Sequence, residues 1–372
     1  MRVLFFGTYD TTMHPRVATI AEGLRAHGVE VAECNAPLGL STTDRVGMLA
    51  KPWKAPKLLV RIAGRWLALA RAARRTPTPD VVLVGYLGHF DVHLAKLLFR
   101  RTPIVLDHLI GASDTARDRG YGGGPRAALL RMIDAAALRA ATVIVVDTDE
   151  HLAALPARHR NRGVVLPVGA PRAWFTAAGT DIADGPLRVV FFGLYTPLQG
   201  APVIGAALRR IAGKPIEITM IGHGQDEDTT KAAADNPAVR WLNWVPADEL
   251  PGLVAGHHVC LGIFGTGPKA LRVVPNKVFQ GAAAGTAIVT SDTPPQRRAL
   301  GDAAVLVPPG DPDALADALL ALADDRAELA RLRQAAHHLA VEKFAPEHVV
   351  APLLVSLPGT GRSDPPAAPA SR

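Results

Sequence analysis

Cysteine is nearly absent. The 372 residues hold two, Cys34 and Cys260, far apart and each at the end of an apolar run. Such a pair makes neither a disulfide framework nor a metal cluster, and buried free thiols are the expectation. Aromatic residues are scarce at 5%, with no basic stripe of rings on which bases would stack, so nucleic-acid binding is not expected. No apolar run approaches the roughly 20 residues a membrane-crossing helix needs. The opening "MRVLFFGTYDTT" is one apolar strand followed by polar residues, without the apolar stretch of a secretory signal, and a cytoplasmic protein is expected. Acid is in shorter supply than base: 34 Asp and Glu face 41 Lys and Arg, a formal charge of +7. That excess suits acidic partners without separating nucleotide from anionic lipid.

What is present is a long chain, 48% hydrophobic, comfortable for two domains. Short β-branched runs alternate with Ala- and Leu-rich stretches. "RVLFFG", "VEVAECN", "DVVLVG", "PIVLDH", "TVIVVD" and "RGVVLPVG" come first; "LRVVFFG", "IEITMIG", "VRWLNWV", "HVCLGIF", "TAIVTS" and "AAVLVPPG" follow a break. Near-continuous apolarity marks parallel strands covered on both faces. Their alternation with helices implies βαβ units in open, doubly wound sheets. The break lies in "WFTAAGTDIADGPL". The expected organisation is a Rossmann-like α/β domain over 1–175, a second over 187–340, a helical segment 341–358 returning to the first domain, and a disordered tail over 359–372. Ligands of such sheets bind beyond the carboxyl ends of the strands, which puts the site in the cleft between the domains.

Three segments of the second half fall at strand carboxyl ends: "VVFFGLYTPLQG" with Gly193, "MIGHGQ" with Gly222, and "RVVPNKVFQGAAAGTAIVTSD". Glycine there permits close backbone approach. In the third, Lys269, Arg272, Asn276, Lys277 and Gln280 surround the start of a helix made of small residues. Free N–H groups at a helix start, with cations nearby, suit an anion. A solvated basic edge is the competing reading.

The order "FFGLYTPLQG", "MIGHGQ", "VPADELPGLV", "PNKVFQGAAAGTAIVTSD", "AAVLVPPGDPDALADAL" resembles the nucleotide-sugar domain of the GT-B glycosyltransferases of the family 4 type. The likeness is specific in the second half and looser in the first. It implies the GT-B fold, a nucleoside-diphosphate-sugar donor in the second domain, an acceptor in the first, no metal or other cofactor, and usually retention at the transferred sugar. The family commonly places Arg after the Gly of the first loop, Lys before its final Gly, and two glutamates eight positions apart. Here those positions are Leu194, Gln199, Arg272 and Gln280. Gln280 still offers an amide to ribose hydroxyls, without a carboxylate's charge-assisted strength. Lys269, Arg272 and Lys277 are expected to take over the diphosphate.

In the first half, "RTPIVLDHLIGASDT" is a strand ending in Asp107 and His108. The resemblance places a His at this strand end, against the donor sugar and the reacting hydroxyl; His108 matches it. Asp107 is expected to orient His108 or to bind an acceptor hydroxyl. Asp10, His14 and Arg16 in "GTYDTTMHPR", and His89 with Asp91 in "GYLGHFDVH", are acceptor-side candidates, with helix capping by Asp10, Thr12 or Asp91 as the competing role. Asp147–Thr148–Asp149 after a strand is either a divalent-cation site or a helix cap with an acidic first turn, and capping is favoured. The basic stretch 51–75 either lies on an anionic membrane surface or covers the first sheet while its cations reach water; covering is favoured.

The expected activity is transfer of a hexose-type sugar from a nucleoside-diphosphate sugar to a hydroxyl of a small-molecule or lipid-linked acceptor. A GT-B epimerase or phosphorylase, and a non-catalytic sugar-nucleotide-binding partner protein, are the alternatives.

Overall fold

The computed structural model describes residues 1–10, 15–39, 55–85, 88–109, 111–113, 123–179 and 185–357. Thr12, His14, residues 51–54, residues 180–184 of the break and the tail beyond 357 lie outside the described residues. Each of the twelve apolar runs forms a strand. The first six are β1 (Arg2–Gly7), β2 (Glu30–Asn35), β3 (Val81–Val84), β4 (Ile104–Leu109), β5 (Val143–Val146) and β6 (Gly163–Val165). The second six are β7 (Leu187–Phe192), β8 (Ile216–Ile221), β9 (Val239–Leu242), β10 (Val259–Leu261), β11 (Ala287–Ser291) and β12 (Ala304–Val307). They build two six-stranded parallel sheets, in the orders β2-β1-β3-β4-β5-β6 and β12-β11-β10-β7-β8-β9. The order reverses beside β1 and β3 in the first sheet and beside β7 and β10 in the second. Doubly wound sheets open a ligand crevice at such reversals, beyond the carboxyl ends.

Alternate residues of one strand enter opposite cores. Val3 and Phe5 pack on one face of the first sheet, Leu4 and Phe6 on the other. In the second sheet Val189 and Phe191 oppose Val190 and Phe192. Both cysteines are free and buried. The two halves are tied together. Val168, Ala170 and Trp174 share a core with Val190 and Phe192, and Trp174 stacks on Phe192 with ring centroids 5.5 Å apart. At the other end of the chain, Val349, Val350, Leu353 and Leu357 pack into the first-domain core with Val3 and Phe5. The helix Ala55–Ala73 turns Ile62, Leu69 and Ala73 inward and leaves Val60 and Leu67 exposed, so it covers the first sheet.

Two helical glycines should respond oppositely to alanine. A Cβ on Gly23, in the helix Arg16–Ala26, would sit 2.1 Å from the Pro346 carbonyl oxygen, whereas a Cβ on Gly64 meets nothing within 4 Å. Helix propensity favours alanine at both by up to about 1 kcal/mol. At Gly23 the backbone contact outweighs it, and overpacking costs about 1–3 kcal/mol. Thermal denaturation is expected to show Gly23→Ala melting below the parent and Gly64→Ala at or above it.

Candidate active site

At the reversal of the second sheet, β7 runs into a turn at Gly193, where φ is 140°. The Gly222 turn after β8 presses against it: a Cβ on Gly222 would fall 1.9 Å from the Gly193 carbonyl oxygen. Close approach at Gly222 therefore serves loop-to-loop packing, not a ligand. Beneath Gly193 lies the side chain of Lys277. The helix Asn276–Ala283 follows β10 and starts at Pro275 without a side-chain cap. Lys277 is 4% exposed, which excludes a solvated edge at this residue. Its Nζ donates to Gln199 Oε1 at 2.5 Å and lies 3.6 Å from the centroid of the Phe191 ring. Burial lowers the ammonium to about 7. Cys260 does not neutralise it, because burial pushes that thiol up to about 12. Among the described residues no carboxylate pairs with Lys277.

The other cations of this segment sit apart from it. Lys269 and Arg272 flank a 3₁₀ turn, Ala270–Arg272, and both are half-buried. Arg272 Nε donates to the Pro268 carbonyl at 3.0 Å, and its own carbonyl accepts from Thr148 Oγ1 of the first domain at 2.8 Å. Asn276 is exposed at the helix start; Gln280, one turn further, is buried. Lys277 points under the Gly193 turn, and Arg272 sits where the two domains meet.

In the first domain, β4 ends in a bulge between Asp107 and Leu109, with Leu109 in the left-handed region at φ 38°. A bulge re-aims a side chain, and strained backbone gathers at functional positions. His108 stands on it, 7% exposed, its Nδ1 without a partner among the described residues. Burial, with His89 next in weight, pushes the imidazole down to about 3. His108 is therefore neutral near pH 7, a hydrogen-bonding group and not a resident cation.

Asp107 does not orient it. Neighbouring strand residues face opposite ways, and the Asp107 carboxylate accepts from Arg16 Nε at 2.9 and 3.1 Å. Both side chains are 1–2% exposed. Burial raises the Asp107 carboxyl while Arg16 opposes the rise. Arg16 also donates from Nη1 to the Pro167 carbonyl at 3.0 Å. Arg16 and Asp107, expected at the acceptor and catalytic positions, form a buried strut between the first helix and β4.

His89, T-shaped on His108 with centroids 5.3 Å apart, has Nε2 3.2 Å from Asp134 Oδ1. Burial disfavours the Asp134 carboxylate, yet His89 and the Ser113 donors outweigh it and hold the carboxyl far below the usual range. Asp134 also accepts from the amides of Ala112 and Ser113 at 2.9 and 3.1 Å, which latches the loop after β4. Asp91 caps nothing: it accepts from Thr8 N, Thr8 Oγ1 and Trp66 Nε1 at 2.7–2.9 Å. Asp10 is half-buried after β1.

Thr148 caps the helix Asp149–Ala154, accepting from His151 N at 3.2 Å. Its carboxylate neighbours are engaged elsewhere. Asp149 lies 3.2 Å from Arg298 across the domains, and Asp147 hydrogen-bonds His151 Nδ1. Among the described residues no group of three or more His, Cys, Asp or Glu is arranged to hold a metal ion. Asp134 and His151 are absent from the sequence-based candidates. The i, i+4 spacing of Asp147 and His151 was a signal for one; Asp134 left none.

Removing one member of a buried ion pair strands the other charge at about 3–5 kcal/mol. Asp107→Ala is expected to lower the urea midpoint strongly, and Arg16→Leu with Asp107→Leu to recover much of the loss. A midpoint unchanged in Asp107→Ala would remove the strut and return Asp107 to the site.

The glycosyl transferases group 1 family matches residues 186–325. The phosphatidyl-myo-inositol mannosyltransferase of Mycolicibacterium smegmatis is 32% identical over 173 residues, 44% of this chain and 43% of that protein. The match thus spans less than half of that relative's length. Sucrose-phosphate synthase from Thermosynechococcus elongatus superposes with a TM-score of 0.69 at 14% identity, covering 94% of this chain and 96% of that one. Anabaena HepE in complex with UDP-glucose superposes with a TM-score of 0.64 at 14% identity, covering 96% and 100%. The chain has the GT-B fold, and its residues 186–325 are similar to the glycosyl transferases group 1 family.

Proposed function

We propose that the protein is a glycosyltransferase that moves a hexose-type sugar from a nucleoside-diphosphate sugar to an acceptor hydroxyl, without a metal ion. The observation that carries this reading is the unneutralised Lys277 ammonium, buried under the Gly193 turn at the reversal of the second sheet. A buried cation without a counter-ion is costly unless something anionic completes it. The diphosphate of a donor meets that need. The family position that usually carries Lys is Gln199, and Lys277 reaches that very side chain. A cation delivered from the helix thereby compensates for the one missing from the loop. Gln280, buried one turn on, suits a ribose hydroxyl.

Across the cleft, neutral His108 suits the reacting hydroxyl, and the neighbouring His89 completes an acceptor-side surface. The mechanism is positioning, together with electrostatic stabilisation of the departing diphosphate. A lipid-linked acceptor fits two observations: the name of the mannosyltransferase relative, and exposed Val60 and Leu67 beside Arg61 and Arg65 on the helix Ala55–Ala73. None of the described helices is long and apolar enough to cross a membrane.

A thermal-shift panel of UDP, GDP, ADP and dTDP sugars, followed by assay of nucleoside diphosphate release with and without EDTA, tests the reading. Stabilisation by one donor, with EDTA-insensitive release, supports it. Release that EDTA abolishes and magnesium restores overturns the metal-free mechanism. Donor converted without any acceptor points to an epimerase, and binding without turnover to a non-catalytic binder.

Donor binding should be coupled to a proton. Free Lys277 titrates near 7, and a bound diphosphate raises that value. Above pH 7 the neutral lysine must take up a proton on binding, so affinity for UDP or GDP falls as pH rises from 7 to 9, by up to about tenfold per unit. Calorimetry in buffers of different ionisation enthalpy is expected to show net proton uptake at pH 8. Lys277→Met should weaken binding roughly ten- to a hundredfold, the range of a lost charge-assisted contact, and abolish the uptake.

His108→Ala should cut turnover by at least about tenfold while leaving nucleoside diphosphate affinity unchanged. Equal losses in both would place His108 in the donor site instead.

A further inference from the structure

Polar clusters at the carboxyl end of the first sheet include His108 with His89, Arg16 with Asp107, and Asp147 with His151, and the proposed transfer uses the first. The second, Arg16 with Asp107, is a buried ion pair that ties the first helix to β4. The third is Asp147 with His151. β5 lies beside β4, with Val145 opposite Asp107 and Val146 opposite Leu109, so Asp147 follows directly, one residue beyond the level of Leu109. The helix Asp149–Ala154 then brings His151 back over Asp147, and the carboxylate accepts from the ring at Nδ1. An anionic acceptor at Nδ1 selects the tautomer with its proton there and leaves the Nε2 lone pair free. That atom has no partner among the described residues although the side chain is 6% exposed. His151 and His108 are close enough for the charge of one to weigh on the other. Thr148, between the two members of the dyad, bonds the Arg272 carbonyl of the second domain at 2.8 Å, so the dyad sits where the domains meet.

We propose that His151, held by Asp147, is an acceptor-binding residue whose Nε2 receives a hydrogen bond from a hydroxyl of the sugar acceptor. A buried lone pair left without a donor is costly. The donors available at a glycosyl acceptor are hydroxyls, and an imidazole in this tautomer takes one without changing its charge. Asp147 acts through His151 as a positioning residue. The inference rests on the glycosyl-transfer reading for the identity of the ligand, and on the dyad geometry alone for the free Nε2.

The test uses the full chain with UDP-glucose or GDP-mannose as donor and myo-inositol as the acceptor probe. Nucleoside diphosphate release is read together with long-range ¹H–¹⁵N spectra of the imidazoles. Wild-type His151 is expected as the Nδ1–H tautomer, with its Nε2 resonance moving when myo-inositol is added. His151→Leu should raise the acceptor KM about three- to tenfold, the range of one hydrogen bond, with donor KM unchanged. His151→Gln retains a hydrogen-bond acceptor and should restore most of the loss. Asp147→Asn offers an N–H to Nδ1, turns the tautomer over and should reproduce His151→Leu. Should His151→Leu fail to fold, Asp147→Asn and His151→Gln decide. An unchanged acceptor KM in the folded variants, or Nε2 protonated in the wild type, overturns the proposal. A wild type that releases no nucleoside diphosphate with any acceptor sinks the transfer reading separately. The ring spectra then still decide the dyad.

Discussion

Strands that are covered on both faces leave no side chain free for chemistry along their length. Val3 through Phe6 of β1 and Val189 through Phe191 of β7 are fully buried, each residue committed to a core. Polar groups can enter only where strands end, and parallel order puts all those ends on one edge. Hence His108, Asp147, Gly193 and Gly222 lie at carboxyl termini of strands. The helices that carry Arg16, His151 and Lys277 bring side chains to the same edge from above.

Once at that edge, buried polar groups need partners, and pairing settles most of them. Asp107 is held by Arg16, Asp91 by Thr8 and Trp66, and Asp134 by the loop after β4. Among the described residues the exceptions include Nδ1 of His108 and Nε2 of His151, which have no partner, and the ammonium of Lys277, which has no carboxylate partner. Neutral His108 stands at a strand end of the first sheet, and the buried cation of Lys277 at a strand end of the second. That distribution of charge suits a ligand with an anionic end and a hydroxyl-bearing end.

In the second domain the Lys277 ammonium has the Phe191 ring beneath it and the Gln199 amide oxygen as its acceptor. A cation over an aromatic face retains part of its stabilisation out of water. The same burial lowers the ammonium to about 7.

Local pattern was enough for the architecture. Twelve apolar runs predicted twelve strands, because a strand buried on both faces has no polar alternation to confuse it. Thr148 was legible as a cap from its place after β5. Contacts between residues far apart in the chain were not legible. Whether Asp107 served His108 or Arg16, 91 positions away, depended on which face of β4 the first helix covers. Lys277 read as one of three cations for a diphosphate, and only the docking of its helix turned it under Gly193. Gly222 read as room for a ligand, and the second loop filled that room with the Gly193 carbonyl. The i, i+4 spacing of Asp147 and His151 was in the sequence, but its meaning depended on β5 lying beside β4. Sequence determined the strands, because burial of apolar runs is a local property. Tertiary structure decided the partners, because a buried charge is satisfied by whatever the packed helices bring within reach.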